Sequence, residues 1–124
     1  MASQRRIERI NQLLREEIAG LLRREIKDPR AATVTVTSVE ATSDLSYADV
    51  YVRTLGEAVA PGEAIRGLES AEGVLRRALG RTLRLHRIPE LRFHFDRSLE
   101  HARRIESLLD EVRPPPPPDE PDES

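Results

Sequence analysis

The side chains best suited to binding a ligand in this sequence are arginines that cluster between residues 74 and 87. This stretch contains five arginines and no acidic residue. On a helix, where successive residues are about 100° apart, these arginines and one glycine fall within an arc of roughly 140°. The residues on this arc are Arg76, Arg77, Gly80, Arg81, Arg84 and Arg87. Guanidinium groups neutralise phosphates and release counterions, and glycine permits close backbone approach, so the pattern predicts an RNA-binding face.

An ordinary solvated helix face is the alternative interpretation of this arginine arc. Solvated faces usually mix charges of both signs, as residues 5–17 do with four arginines and three glutamates. A face with a single sign of charge is less typical of simple solvation and favours a polyanionic partner.

The segment Ala71-Glu72-Gly73 directly precedes the arginines and predicts a joint between two helices. Glycine lowers helix propensity by about 1 kcal/mol relative to alanine, so the two helices are expected to meet at a kink. The second helix would then present its N-terminal amides to a phosphate, with Ala71, Glu72 and Gly73 at the contact. The alternative is that Gly73 only allows the two helices to pack. Because the negatively charged Glu72 side chain repels a phosphate, binding of phosphate at this joint is expected to be weak.

The sequence offers no support for catalysis, a cofactor, a metal or a small-molecule ligand. It contains no cysteine, which excludes disulfides, thiolate ligands and thiol nucleophiles. The three histidines are not spaced like metal ligands, and no phosphate-binding or dinucleotide-binding glycine motif occurs. Asp44, Asp49 and Asp96 are predicted at a turn, on the surface and at a helix start. A non-enzymatic binding protein is therefore expected.

The second predicted strand places Tyr47 and Tyr51 on one face. Two tyrosines on a shared face can stack on bases, although such a pair more often packs under a helix. His94, in the third strand, fits a simple surface histidine better than a stacking residue.

The elements that position these residues follow from apolar spacing and from helix-breaking residues. Three- and four-residue spacing predicts helices, alternation predicts strands, and Asp28-Pro29 and Pro89 interrupt the chain. A parity slip near Ser38 predicts a β-bulge, and the Ser43-Asp44 turn predicts an antiparallel hairpin. The expected elements are a helix at 4–26, strands at 33–41 and 47–53, helices at 61–70 and 72–85, a strand at 91–95 and a helix at 98–112. The last helix is expected to carry inward Leu99, Ala102, Ile105, Leu109 and Val112.

The chain is predicted to form one domain, residues 1–113, followed by a disordered tail, residues 114–124. The tail has five consecutive prolines, four carboxylates and no apolar residue, so it has nothing to bury. It leaves the domain with a net charge of +2, against −2 for the whole chain. No apolar run approaches the ~18 residues of a membrane span, and no signal peptide is recognisable, so a cytoplasmic monomer is expected.

The predicted order α-β-β-α-α-β-α describes an α+β fold with a three-stranded sheet and helices packed on one face. Its β-α-α-β part is the minimal KH unit, and the preceding helix and strand match the type II arrangement. KH modules clamp nucleic acid at a glycine-rich joint between two helices. The sequence resembles the ribosome-binding factor A family in the segments "EIKDPR" (25–30), "VTVTSVEATSDLSYADVYV" (34–52), "LRRALGRTLRLHRIPELRFHFDRSLE" (75–100) and "RIESLL" (104–109).

This resemblance covers about residues 4–112 and implies a ribosome assembly factor. Such a factor binds the free small (30S) ribosomal subunit and its 16S rRNA, assists maturation of the precursor 5′ end, and serves cold adaptation. The resemblance also suggests secondary RNA contacts by Arg5, Arg6 and Arg9. The alternatives are a general KH-type RNA-binding protein, a small RNA-processing enzyme, and a protein adaptor that acts through the proline-rich tail, which is not a feature of the family.

Overall fold

A long amphipathic helix opens the fold. The computed structural model describes residues 3–85 and 87–112, and helix α1 spans Gln4–Arg24. The Ser3 hydroxyl caps it by accepting a hydrogen bond from the Arg6 amide. The apolar residues at three- and four-residue spacing are buried, which confirms the predicted helix. They are Ile7, Ile10, Leu14, Ile18, Leu21 and Leu22.

A short 3-10 turn, Pro29–Ala31, follows the helix and packs against the middle of the chain. The Asp28 carboxylate accepts hydrogen bonds from the Arg30 amide (2.9 Å) and guanidinium (2.7 Å), which fixes the turn. The turn lies so close to Gly67 that a methyl group there would meet the Arg30 Cβ at 2.8 Å. Local hydrogen bonds thus shape the turn at the end of the "EIKDPR" segment, and a later helix packs closely against it.

The sheet has three strands in the order β1-β2-β3, namely Val34–Ala41, Tyr47–Thr54 and Glu90–Phe95. Strands β1 and β2 form the predicted antiparallel hairpin, with the predicted bulge between Val36 and Ser38. Strand β3 pairs with β2 in parallel, so the chain must cross over between them. Helix α2 makes that crossover.

Helix α2 runs continuously from Pro61 to Thr82, so the two helices expected at 61–70 and 72–85 are joined end to end. The α+β class and the order of elements are confirmed, and the helical conformation continues through the joint predicted at Ala71-Glu72-Gly73. One glycine costs only about 1 kcal/mol, which the helical residues around it and the buried face of α2 outweigh. The amides after Gly73 therefore lie within the helix and are not a free N-terminus.

The core lies between one face of the sheet and helices α1 and α2, as expected for a type II KH-like fold. It is aliphatic except for Phe93, and no polar or charged residue in the described part of the chain is buried. The opposite face of the sheet is covered by neither α1 nor α2. We call it the open sheet face; it carries Tyr47, Asp49 and Tyr51 of β2.

Helix α3, Ser98–Val112, follows β3 and has no buried residue. The expectation that its apolar side chains point into the core is wrong. Leu99, Ile105 and Leu109 remain 42–48% exposed, because α1 and α2 already fill the covered face of the sheet. No helix in the described residues is long and apolar enough to cross a membrane. The expected disordered tail lies outside the described residues.

Candidate nucleic-acid interface

The exposed face of α2 holds five of the nine residues predicted as the main RNA contacts. Gly73, Arg76, Arg77, Gly80 and Arg81 are all exposed on it, while its other face is buried. The buried residues are Ala64, Gly67, Leu68, Ala71, Leu75, Ala78 and Leu79. We call these five exposed residues the glycine–arginine face. Among the residues that the structure describes, Arg77 and Arg81 have no ion pair, so their guanidinium groups are available to a partner.

The two glycines on this face have no packing reason to be glycine. A Cβ on Gly73 would meet only the Arg77 guanidinium, at 3.6 Å, and one on Gly80 would meet only the Ile88 Cγ1, at 3.9 Å. Both distances are ordinary van der Waals contacts, and each glycine costs about 1 kcal/mol of helix propensity relative to alanine. No contact in the structure therefore supports the interpretation that Gly73 is a glycine for the sake of helix packing. Bare backbone between arginines allows a phosphodiester chain to approach the helix closely.

The arginine arc does not extend along one helix as expected. Helix α2 ends at Thr82, and Leu83 adopts an extended conformation, so Arg84 and Arg87 lie in the connection to β3. Leu83 packs partly against the core from this connection, as do the apolar side chains at 85 and 88, which favours leaving the helix. Arg84 and Arg87 are exposed in this connection.

Three of the predicted RNA-binding residues have contacts within the protein. The Arg76 guanidinium donates to the Ile88 carbonyl at 3.2 Å and so holds the connection that follows α2. Glu72 turns away from the arginines, and its carboxylate accepts a hydrogen bond from the Leu91 amide at 3.2 Å. Ala71 is 7% exposed and packs in the core. Glu72 thus joins α2 to β3 and Ala71 belongs to the core, so neither side chain is on the glycine–arginine face.

The arginines of the first helix form a separate group. Arg5, Arg6 and Arg9 are exposed in the first two turns of α1, a helix that packs mainly against β1. Within the described residues, no hydrogen bond or ion pair connects them with α2. They remain predicted as secondary contacts.

The sequence did not reveal a linked set of side chains on the open sheet face. The Asp49 carboxylate accepts two hydrogen bonds from Arg92, at 2.9 and 3.0 Å, and lies 2.7 Å from His94 Nε2. His94 stacks on Tyr51 with ring centroids 5.2 Å apart, and the Arg92 guanidinium lies 4.5 Å from the centre of the Tyr47 ring. Burial raises the pKa of Asp49, but the hydrogen bonds from Arg92 and His94 outweigh it, so the pKa is lowered overall.

Two further carboxylates have clear structural roles that agree with the predictions. Hydrogen bonds from the Thr37 hydroxyl and the Ser98 amide lower the pKa of Asp96 to about 2, at the start of α3. The Ser46 amide similarly lowers the pKa of Asp44 to about 2, in the hairpin turn. Among residues 3–85 and 87–112, no three carboxylate or imidazole groups cluster as a metal site would require.

Comparison with known proteins connects this geometry to a family. Residues 6–109 match the family model of ribosome-binding factor A. A ribosome-binding factor A from Hahella chejuensis is 43% identical over 114 residues, which span 87% of this chain and 84% of that protein. The crystal structure of ribosome-binding factor A from Thermus thermophilus aligns with a TM-score of 0.67 at 32% identity, over 74% of this chain and 97% of that one. A Thermus thermophilus homology model, fitted into a cryo-EM map of a complex with the 30S subunit, aligns with a TM-score of 0.59 at 34% identity, over 70% and 91% of the two chains.

Proposed function

Because this chain belongs to the ribosome-binding factor A family, we propose that it binds the free small ribosomal subunit through the glycine–arginine face of α2. The observation that carries the proposal is the combination of Arg77 and Arg81, which form no ion pair with a described residue, with two exposed glycines that no packing contact explains. Arginines alone occur on many solvated faces. Glycines that weaken a helix although a methyl group would fit in their place are accounted for by a partner that needs the space.

The face suits the backbone of 16S rRNA. Arg77 and Arg81 each offer a planar fork of donors that matches two phosphate oxygens, and Gly80 between them leaves room for the sugar-phosphate chain. Contacts of this kind read the shape and charge of folded RNA and not its base sequence. Arg84 and Arg87 extend the basic surface beyond the helix, and Arg76 keeps that extension in place through Ile88.

On the subunit, the protein acts as a binder and not as an enzyme. By holding one arrangement of the rRNA it assists maturation of the precursor 5′ end, which a separate nuclease then cuts. RNA pairing strengthens on cooling, so misfolded intermediates persist longer in the cold and the need for such a factor increases. It works in the cytoplasm as a monomer. If the purified protein cleaved precursor rRNA without the subunit, this part of the proposal would be wrong.

The test compares two double variants of equal charge. Arg77→Gln/Arg81→Gln removes two cations from the glycine–arginine face, and Arg103→Gln/Arg104→Gln removes two from α3, where both arginines are exposed. Glutamine has nearly the same helix propensity as arginine, so all variants should fold. Affinity for purified free small subunits is measured across a range of salt concentrations.

If both α2 arginines contact phosphates, the slope of log affinity against log salt becomes shallower by about 1.4–1.8 units. The α3 variant should keep the slope of the unmodified protein. Equal changes in both variants would indicate long-range attraction without a preferred face and would remove α2 as the interface. Equal affinity for naked RNA and for the subunit would indicate a general KH-type RNA-binding protein instead.

A further inference from the structure

The open sheet face differs in charge from the glycine–arginine face. Its central carboxylate, Asp49, is bonded to Arg92 and His94, so those charges largely cancel. Two more carboxylates flank it in the register of the sheet, with Glu40 opposite Asp49 on β1 and Glu90 opposite Tyr47 on β3. Both are exposed, and neither forms an ion pair with a described residue. The face therefore carries unneutralised negative charge.

The electrostatic environment of Tyr51 agrees with this description. Burial raises the pKa of Tyr51, and the negative charges of Glu40 and Asp49 raise it further, while Arg92 only partly offsets them. The carboxylates of Glu40 and Glu90, which no ion pair with a described residue neutralises, repel a phosphate that approaches this face. RNA is therefore an unfavourable occupant of this face.

The tyrosines show which group the face accepts. The Arg92 guanidinium already lies 4.5 Å from the centre of the Tyr47 ring, a cation–π geometry, and Tyr47 is still 39% exposed. Asp49 fixes Arg92, and His94 fixes Tyr51 by stacking, so the rings are ordered before any partner arrives. Ordered rings between free carboxylates complement the side chains of arginine and lysine.

We infer that the open sheet face binds an arginine- or lysine-rich polypeptide segment, with Tyr47 and Tyr51 stacking on its cations and Glu40 and Glu90 pairing with them. The site lies on the face of the sheet opposite α1 and α2, and it does not depend on how α2 contacts RNA. With both sites occupied, the protein bridges RNA on its helical side and a basic protein chain on its sheet side.

The experiment titrates the full-length, 15N-labelled protein with a short peptide of alternating glycine and arginine and follows the backbone amides by NMR. Amides of β2 and β3 should shift. The variant Glu40→Gln/Glu90→Gln should weaken peptide binding about fivefold, the loss of two exposed ion pairs. Tyr47→Ala should weaken it about threefold, the loss of one exposed cation–π contact. Unfolding midpoints, measured in parallel, verify that each variant is folded.

The matched control is Glu106→Gln/Glu111→Gln, which removes the same charge from exposed positions of α3. It should leave peptide affinity unchanged. The inference would be overturned if both double variants weakened peptide binding equally, because net charge alone would then explain the binding. It would also be overturned if the peptide shifted only amides of α3 or of the acidic tail. It would also fail if an oligouridine of the same length shifted β2 and β3, since the face would then bind RNA. Absence of any shift with the peptide would overturn it directly.

Discussion

Replacing the two exposed glycines of α2 by alanine should make the protein more stable and weaken its binding to the subunit. The double variant is Gly73→Ala/Gly80→Ala. Neither new methyl group meets an atom closer than 3.6 Å, so no strain opposes the change. Alanine is favoured over glycine by about 1 kcal/mol in a helix interior, and by less at Gly80, which lies near the end of α2 at Thr82. The free energy of unfolding should therefore rise by about 1.5 kcal/mol.

The effect on binding should have the opposite sign. A methyl group in place of bare backbone keeps a phosphate from reaching the neighbouring arginines at hydrogen-bond distance. Loss of one charge-assisted hydrogen bond corresponds to about 1.5–3 kcal/mol, which is at least a tenfold loss of affinity for free small subunits. The assay pairs urea unfolding with subunit binding at fixed salt.

A control within the same helix separates propensity from packing. Gly67 is also glycine, but its methyl group would meet the Arg30 Cβ at 2.8 Å, close to the backbone of the 3-10 turn. Overpacking of about 1–3 kcal/mol then exceeds the gain in helix propensity, so Gly67→Ala should destabilise the protein by about 1 kcal/mol. If Gly73→Ala/Gly80→Ala raised stability but left subunit affinity unchanged, the glycines would not serve close approach. A loss of stability in that variant would show that α2 is not a regular helix at these positions.

Three further predictions concern two individual hydrogen-bonded carboxylates and the C-terminal tail. Because hydrogen bonds lower the pKa of Asp96 to about 2 in the folded state, it should stabilise the protein above its unfolded pKa of about 3.9, and the effect should vanish as pH falls towards 2. Asp96→Asn should therefore flatten urea-unfolding free energies between pH 5 and pH 2, and an unchanged profile would contradict this role. Glu72→Ala removes the acceptor of the Leu91 amide and should lower stability by about 1 kcal/mol while subunit affinity, corrected for the folded fraction, stays constant. Deleting residues 114–124 should change the unfolding free energy by no more than about 0.5 kcal/mol and leave subunit binding intact, and a larger loss would mean that the tail packs on the domain.

Much of the fold follows from the sequence because its signals are local. The apolar spacing of α1, the cap at Ser3, the alternation in β2 and the parity slip at the bulge each depend on residues within a few positions of one another. The resemblance to a family was likewise carried by short contiguous segments. The five residues of the glycine–arginine face could be predicted because they recur along one helix, where periodicity alone determines which side chains share a face.

Tertiary contacts decided what periodicity could not. Whether α2 continues through Gly73 depends on the buried face of the helix, which stabilises it. The helix ends at Thr82 because the apolar side chains that follow pack against the core from an extended segment. The same contacts directed the Glu72 side chain towards β3, although its neighbour Gly73 is exposed. Helix α3 has the amphipathic pattern of a core helix, but the covered face of the sheet was already filled.

The open sheet face depends entirely on strand register. Asp49, Arg92 and His94 are brought together because β2 and β3 pair in parallel, which sets Asp49 beside Arg92 and Tyr51 beside His94. The sequence by itself determined that these residues alternate outward on their own strands. Only the folded chain decided which of them meet, because residues more than 40 positions apart become neighbours through a crossover helix whose packing, and not its sequence spacing, fixes the register.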